Sequence, residues 1–231
     1  DSRSGQKKTF EGDYFFSTMP IKELVAGMHP AAPQEMAAIA SGLQYRDFVT
    51  VGLLLRKLQL SDEGGGLIKD NWIYIQEKDV KIGRLQVFNN WSPWMVREPG
   101  TVWLGLEYFC NVGDDLWNKT DEEFMKFAAA ELEQIGIIDQ ADVLDSTIIR
   151  MEKTYPAYFG TYNEFDRLRQ WLDGFENLFL IGRNGMHKYN NSDHSMLTAM
   201  TAVENIINNT RSKDNIWAIN TEDEYHEEKG D

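Results

Sequence analysis

An α+β fold is predicted for this chain from three observations. Short apolar runs separated by turn residues crowd the stretch between residues 48 and 110. No long helical segments separate these runs, which favours an antiparallel or mixed sheet over alternating strand–helix–strand units. Helical periodicity marks both flanks, and a strand–loop–helix segment follows over 177–210. We therefore expect a mixed or antiparallel sheet domain with helices, plus this C-terminal segment.

The N-terminal part is predicted to contain one strand and two helices. A polar lead-in covers 1–12, and the apolar run from Tyr14 to Thr18 is typical of a short buried strand, which Pro20 ends. Residues 21–28 carry apolar side chains on one face, and the Ala-rich residues 34–41 form the next helix.

The middle of the chain supplies the sheet and a well-marked helix. The predicted strands are 48–55, 72–75, 83–88 and 102–110. Thr120 can cap a helix, and Glu123 stands at the capping-box position three residues later. Because acidic residues in the first turn suit the helix dipole, we expect a helix here that ends at Gly136.

The C-terminal part alternates short elements. The predicted elements are a strand over 142–151, a helix over 164–171, a strand over 178–181, a loop over 182–192 and a helix over 193–208. Residues 211–231 are interpreted as an acidic tail, frayed from 221 onwards.

Composition excludes several classes of protein. The 231 residues contain 23 Lys+Arg against 37 Asp+Glu, a net charge of −14. This acidity argues against binding to a nucleic-acid backbone, which needs a basic stripe. No apolar run reaches the roughly 18 residues of a membrane span. Cys110 is the only cysteine, which excludes an intramolecular disulfide and a cysteine zinc cluster. A reducing cytoplasm is the simplest compartment for such a chain.

Common catalytic signatures are absent from the sequence. It contains no Gly-x-Ser-x-Gly elbow, no phosphate-binding Walker loop, no His-Glu-x-x-His and no Gly-x-Gly-x-x-Gly. His187 and His194 have no further metal-ligand residues at a suitable spacing, and they are interpreted as hydrogen-bonding or surface residues. No metal site is predicted.

One segment, 177–196, has the pattern of a ligand-facing site. An apolar strand ends in Gly182-Arg183, a loop dense in polar side chains follows, and a helix begins at Ser192 or Asp193. Ligands of α/β sheets lie beyond the carboxyl ends of strands, and a helix N-terminus presents unpaired N–H groups. The alternative is an elaborate loop that satisfies its own polar groups, and the residues alone leave both interpretations open.

The stretch from Gly182 to Met196 resembles a known motif. It is similar to the C-terminal flavin motif of FAD-dependent oxidoreductases of the amine oxidase/protoporphyrinogen oxidase-like superfamily, in the branch related to UDP-galactopyranose mutase. Three shorter segments resemble the same branch in matching order, namely Asp13 to Pro20, Gly83 to Gln86 and Tyr155 to Tyr158. The resemblance covers most of the chain.

The resemblance implies a set of cofactor contacts. The helix that begins near Ser192 would point its N-terminus at the flavin ring, whose reduced form carries negative charge that oriented N–H groups stabilise. Arg183 would lie between flavin and substrate. The implied cofactor-binding residues are Gly182, Arg183, Asn191, Ser192, Asp193 and Met196. The mutase pattern has Asp at the position of Asn191 and Met at that of Ser192, which bears on the mutase reaction more than on the flavin.

Substrate contacts are expected from both halves of the chain. Asn90 and Trp91 belong to the predicted cleft loop, because polar amides beside tryptophans suit ligand recognition. The aromatic set that includes Tyr108 is either a packed core or a wall of the substrate cleft. Glu107 is either a site carboxylate or a partner of Arg84. Arg84 is either a surface arginine of its strand or a substrate contact. The resemblance implies substrate contacts at Arg84, Tyr155 and Tyr189, so the predicted substrate-binding residues are Arg84, Asn90, Trp91, Tyr108, Tyr155 and Tyr189.

The family's opening strand, Gly-x-Gly-x-x-Gly and helix have no counterpart in this sequence. We therefore expect a C-terminal portion of a longer flavoprotein, in which 13–20 and 177–210 are pieces of the FAD-binding domain and 21–176 is the substrate-binding domain. Alone, it would bind FAD weakly or not at all and lack activity. Its uncovered strands predict a homodimer or partial disorder of these pieces.

Three functions follow from these observations. The first is an enzyme whose parent transfers hydride to FAD from an amine or a carbon–carbon or carbon–nitrogen bond of a small-molecule substrate. The second is a mutase-like sugar isomerase that uses reduced flavin. The third is a non-catalytic α+β binding module. No catalytic residue is identified for any of them.

Overall fold

The computed structural model describes residue 5 and residues 7–220. The predicted frayed segment 221–231 and the first residues of the polar lead-in, 1–4 and 6, lie outside the described residues. Two compact units divide the chain. Residues 46–154 form the central unit, and the described residues before and after them form the flanking unit.

The secondary structure alternates along the chain. The strands of the described residues are β1 (Phe15–Ser17), β2 (Leu43–Leu55), β3 (Trp72–Tyr74), β4 (Arg84–Val87), β5 (Val102–Cys110), β6 (Val143–Gly160) and β7 (Leu178–Leu180). The helices are α1 (Ile21–Ala26), α2 (Gln34–Gly42), α3 (Phe88–Trp91), α4 (Asp121–Gln134), α5 (Phe165–Asp173), α6 (Gly182–Met186), α7 (Ser192–Ile207) and α8 (Asp214–Trp217). Short 3-10 turns occur at Pro93–Met95, Gln140–Asp142 and Thr161–Glu164.

The central unit is built on a five-stranded sheet with the order β3-β4-β5-β2-β6. The neighbours β3 and β4, β4 and β5, and β5 and β2 pair antiparallel. Val51 lies opposite Leu106, and Leu53 lies opposite Leu104, so alternate side chains of adjacent strands meet in one hydrophobic core. The sheet's other face carries Arg84 and Glu107, which are also opposite each other.

Helix α4 covers the core face of the central sheet. Phe124, Ala128 and Leu132 are fully buried and belong to the same hydrophobic cluster as the strands. The predicted capping box is confirmed, because the Glu123 backbone N–H donates to the Thr120 hydroxyl and the Thr120 backbone N–H donates to the Glu123 carboxylate. The helix therefore begins where its first N–H groups find side-chain acceptors.

The flanking unit has a core of its own around a two-stranded parallel sheet. Strands β1 and β7 pair in the register Phe15 to Leu178. Helices α1, α2, α5 and α7 contribute buried residues to the surrounding cluster. Both Phe15 and Phe16 remain about two-fifths exposed, although parallel sheets are usually covered on both faces.

The boundary between the units differs from the predicted one. Residues 21–45 and 155–176, expected in the substrate-binding domain, belong to the flanking unit. The two long strands β2 and β6 cross the boundary: Leu43 lies in the flanking core, whereas Val49 lies in the central core. A continuous apolar strand carries no sequence mark of the point at which it passes from one core to another.

Four local predictions are corrected by the structure. Phe88 was expected in a strand and instead begins α3, and the strand expected to end at Met151 continues to Gly160. The expected loop after β7 contains α6. The first part of the expected tail, 211–220, contains α8, with Ile216 and Trp217 buried. Elements of four or five residues are too short for periodicity to reveal. No helix in the described part of the chain is long and apolar enough to cross a membrane.

We predict that Thr120→Ala lowers the free energy of unfolding by about 1 kcal/mol, because the N–H group of Glu123 loses its acceptor. Urea denaturation followed by circular dichroism measures the change. Thr120→Ser keeps the hydroxyl and is the matched control. Equal losses in both variants would show that the hydroxyl does not act as a cap.

Candidate functional site

The candidate site lies where β1 and β7 end. Because the two strands are parallel, their carboxyl ends, Ser17 and Leu180, share one edge. The next segment begins with Gly182 at φ +73°, in the left-handed region that glycine adopts without strain. A Cβ on Gly185 would stand 2.2 Å from the Ser17 carbonyl oxygen, so only glycine allows this close approach. The two glycines thus bring the 182–191 loop against the end of β1.

Asn190 holds this loop together from inside. It is 2% exposed, and its Nδ2 group donates to the Gly182 carbonyl over 3.2 Å. Its own carbonyl accepts from Arg183 Nε over 2.9 Å. The backbone N–H of Gly182 donates to the Thr198 hydroxyl of α7 over 3.1 Å. Asn190 was not among the predicted site residues, although its place in an amide-rich run between glycine and a helix start was a signal.

Arg183, Tyr155 and Tyr189 are brought together in the flanking unit. The two tyrosine rings stack with centroids 5.4 Å apart and planes 10° apart. The Arg183 guanidinium carbon lies 5.1 Å from the Tyr155 ring and 4.6 Å from the Tyr189 ring. A guanidinium over aromatic faces is held by cation–π attraction. These three of the predicted residues therefore form one cluster.

His187 is a buried structural residue of the same loop. Its φ is +49°, its side chain is fully buried, and its Nε2–H donates to the Ala157 carbonyl over 3.1 Å. Burial lowers the pKa of His187 to about 4; the Ala157 carbonyl opposes this shift and the charge of Lys22 adds to it. The ring packs edge-on against Tyr45. The imidazole is therefore neutral at physiological pH, and its packing agrees with the interpretation as a hydrogen-bonding histidine.

Helix α7 starts with open N–H groups. Asn191 is its N-cap residue, but the Asn191 side chain makes no capping hydrogen bond. Asn191, Ser192 and Asp193 are exposed, and one turn later Met196 is 66% exposed. The first-turn N–H groups therefore have no side-chain cap among the described residues, and the helix dipole adds positive potential at this point. The arrangement suits a polar, electron-rich atom of a ligand.

In the central unit, Arg84 is held by a buried charge pair. Its Nε group donates to the Glu107 carboxylate, which also accepts from Gln86 Nε2. Both charged side chains are 3% exposed. The guanidinium carbon lies 4.7 Å from the Trp72 ring and 4.9 Å from the Phe109 ring. Of the two predicted roles for Glu107, the structure shows the partner of Arg84.

Asn90 and Trp91 stand at the edge of the same sheet. Asn90 Nδ2 donates to the carbonyls of Ile68 and Asp70 over 2.8 and 2.9 Å, so this amide group anchors the loop. Trp91 is 47% exposed and meets Trp72 edge to face, with centroids 6.2 Å apart. Trp72 in turn contacts Arg84, so Trp91 and Arg84 belong to one aromatic cluster.

Tyr108 is placed differently from the prediction. It follows Glu107 on β5 and therefore points to the opposite face, into the hydrophobic core, where its ring meets Phe124 edge-on. Its side chain is fully buried, and burial, reinforced by the charge of Glu131, raises the pKa of Tyr108 well above its usual value. Of the two interpretations of the aromatic set, the packed core applies to Tyr108, which is corrected from a substrate contact to a core residue.

Solved structures share this architecture. The crystal structure of reduced UDP-galactopyranose mutase superposes with a TM-score of 0.72 at 21% identity, over 90% of this chain and 43% of the mutase chain. The chain has the fold of that part of the mutase. The predicted α+β class is thereby confirmed. No protein-family model matches the sequence, and no curated protein does.

Two further structures give weaker superpositions. A protein assigned as a protoporphyrinogen oxidase, from Exiguobacterium sp. 255-15, has a TM-score of 0.57 at 18% identity, over 86% of this chain and 42% of its own. An oxidoreductase from Methanosarcina mazei has a TM-score of 0.46 at 12% identity, over 76% and 38%. The chain thus spans less than half the length of the solved proteins that it matches.

The burial of His187 predicts a loss of stability on acidification. An unfolded imidazole titrates near 6.5 and the folded one near 4, so between these values only the unfolded state binds a proton. The stabilisation is complete above pH 6.5 and declines as the pH falls toward 4, by about 3 kcal/mol in all.

Unfolding free energies at pH 7, 6, 5 and 4.5 measure this effect. His187→Asn tolerates the left-handed backbone and should flatten the pH dependence over this range. His29→Asn, at an exposed position, is the matched control for the substitution itself. A variant lacking His187 that kept the full wild-type slope would contradict the assignment.

For the buried pair, we expect Glu107→Leu to destabilise the protein by about 3–5 kcal/mol, because Arg84 keeps a buried charge without its carboxylate partner. Adding Arg84→Met should recover much of the loss, since the charge is then gone. Denaturant unfolding of the four members of this cycle measures the coupling. If the losses of unfolding free energy in the two single variants simply add in the double variant, the two residues are not coupled. The same cycle on the exposed pair Glu122 and Lys126 is the reference for a weak interaction.

Proposed function

We propose that this chain is the C-terminal, substrate-binding portion of a FAD-dependent oxidoreductase. In this proposal the parent protein accepts hydride from an amine or from a carbon–carbon or carbon–nitrogen bond of a small molecule. The observation that carries the proposal is the start of α7, with no side-chain cap, beyond the carboxyl edge of the β1 and β7 strand pair. The fold likeness to the mutase and to the protein from Exiguobacterium supports it.

The residues at the α7 start fit part of a flavin. Asp193 adds negative charge to the first turn, which disfavours the diphosphate and leaves the neutral or weakly anionic edge of the ring as the better match. The Ser17 hydroxyl, at the end of β1, is buried without a hydrogen-bond partner among the described residues. Asn191, Ser192 and Met196 are exposed here, and a bound flavin would supply the hydride acceptor.

Uncovered apolar surface supports the assignment to a longer protein. Along α7, an exposed apolar row recurs at helical spacing, formed by Met196, Met200, Val203 and Ile207. Contiguous apolar surface of this kind marks an interaction face. In our proposal the nucleotide-binding half of the parent covers this row.

Substrate recognition is proposed for two clusters. In the flanking unit, Arg183 over Tyr155 and Tyr189 can bind an anionic or carbonyl group while the rings exclude water. In the central unit, Trp91 offers an exposed aromatic surface, and Asn90 sets its position. Arg84 keeps Trp72 in place behind that surface.

A mutase-like sugar isomerase is the second candidate, favoured by the higher TM-score of the UDP-galactopyranose mutase superposition. The two candidates differ in their ligands. Addition of a UDP-sugar to the flavin-loaded parent protein would change flavin fluorescence in a mutase, whereas anaerobic addition of an amine substrate would bleach the flavin in an oxidoreductase.

For the chain alone, we predict weak or no binding of FAD, because the Gly-x-Gly-x-x-Gly turn that cradles the diphosphate is absent. Titration of the purified chain with FAD, followed by flavin fluorescence, measures the affinity. Expression of the proposed parent protein, or co-expression of this chain with a separately encoded nucleotide-binding half, should yield a protein that purifies with bound flavin and is therefore yellow. Tight stoichiometric binding to residues 1–231 alone would contradict this division of roles.

A further inference from the structure

The segment that follows α7 reaches back to the 182–191 loop. Residues 213–220, called the strap below, include α8 and belong to the flanking unit. They fall within the predicted acidic tail, yet Lys213, Ile216, Trp217 and Asn220 are all at most 5% exposed. A segment of this composition is buried only when its polar groups are satisfied, so its contacts show what it holds.

The first end of the strap is fastened by Lys213. Its ammonium group donates to the carbonyls of Asp173, Phe175 and Leu178 over 3.3, 2.6 and 2.7 Å. These carbonyls lie between the end of α5 and the start of β7. The last carbonyls of a helix have no hydrogen-bond donor within the helix and need one from elsewhere. Burial lowers the pKa of Lys213, and the three carbonyl oxygens compensate for the lost hydration.

The middle of the strap is fastened to two helices. Asn215 and Asn205 exchange amide hydrogen bonds of 2.8 and 2.9 Å, which join the strap to α7. Trp217 packs edge-on against Phe165 of α5, with ring centroids 5.9 Å apart. The strap is therefore bound to α5, α7 and the start of β7 before the chain reaches Asn220.

The other end of the strap contacts the loop through Asn220. Its Nδ2 group donates to the Tyr189 carbonyl over 3.0 Å and to Asn190 Oδ1 over 2.9 Å. Its own carbonyl accepts from Lys188 Nζ over 2.6 Å. Three consecutive loop residues are thus bound by one residue of the strap.

We infer that Asn220 is a positioning residue, which acts through Asn190 on Arg183 and on the start of α7. Asn190 accepts from Arg183 Nε and donates to Gly182, and Asn191 is the N-cap of α7. The Asn190 side-chain amide, bound by Asn220 on one side, meets the Gly182 carbonyl on its other side in one orientation, and this holds the Asn190 backbone carbonyl in place for Arg183. The functional meaning of this placement rests on the proposed flavin site; the placement itself does not.

The test compares two variants of the strap. Asn220→Asp keeps the shape of the side chain and removes the two N–H donors to the loop. Asn215→Asp removes an equivalent donor on the α7 side and leaves the loop contacts intact. Because a buried carboxylate can prevent folding, Asn220→Ala is the second variant at the first position.

The readouts are hydrogen exchange of the backbone amides of 182–191 and the near-ultraviolet circular dichroism of the stacked pair Tyr155 and Tyr189. With either Asn220 variant we expect the loop amides to exchange about tenfold faster, because two hydrogen bonds are lost, and the tyrosine signal to fall. With Asn215→Asp the loop should keep its protection and its tyrosine signal. A loop unchanged in both Asn220 variants, or equal effects at the two positions, would overturn the inference.

No flavin enters this experiment. Loss of loop order in the Asn220 variants would therefore stand even if the parent protein bound no flavin. An intact loop in those variants would refute the positioning role. The proposed function would not be affected by that result, because the FAD titration tests it separately.

Discussion

A buried loop has to satisfy its own polar groups, and Asn190 meets that requirement in the flanking unit. The loop between β7 and α7 contains two glycines, which have no side chain to cover their backbone polar groups. The amide of Asn190 bonds Gly182 on one side, and its backbone carbonyl accepts from Arg183. Because an unpaired buried amide costs roughly 1–3 kcal/mol, the hydrogen bonds of Asn190 favour a single conformation of the loop. Arg183, the tyrosine pair and the start of α7 all depend on that single conformation.

The central unit also buries polar side chains, in this case on one face of its sheet. One face of the sheet is a purely apolar core, and the other face buries Arg84 against Glu107 beneath aromatic rings. Replacing a buried ion pair by apolar residues is often neutral or stabilising, whereas removing one partner alone is strongly destabilising. It fixes the orientation of Trp72, next to Trp91, on the sheet edge. Both units therefore place candidate contacts next to buried, hydrogen-bonded polar groups.

The fold likeness to UDP-galactopyranose mutase covers 90% of this chain and fewer than half of the mutase residues. That proportion agrees with the surface of the flanking unit, where β1 and α7 leave apolar side chains uncovered. Our proposed function, a substrate-binding portion whose α7 start faces a flavin, accounts for both observations. Asn220 of the strap adds three contacts to this loop from within the chain, at Lys188, Tyr189 and Asn190.

The sequence by itself determined the α+β class, the main strands and the long helices, because alternation, helical spacing and the capping box around Thr120 are local signals. It also located the loop that carries Arg183 and Tyr189. Only the tertiary structure decided that Tyr108 is core, that Asn190 is a support and that 213–220 is a strap. Register and long-range contacts set these outcomes, and residues 30 positions apart, such as Asn190 and Asn220, share no pattern along the chain.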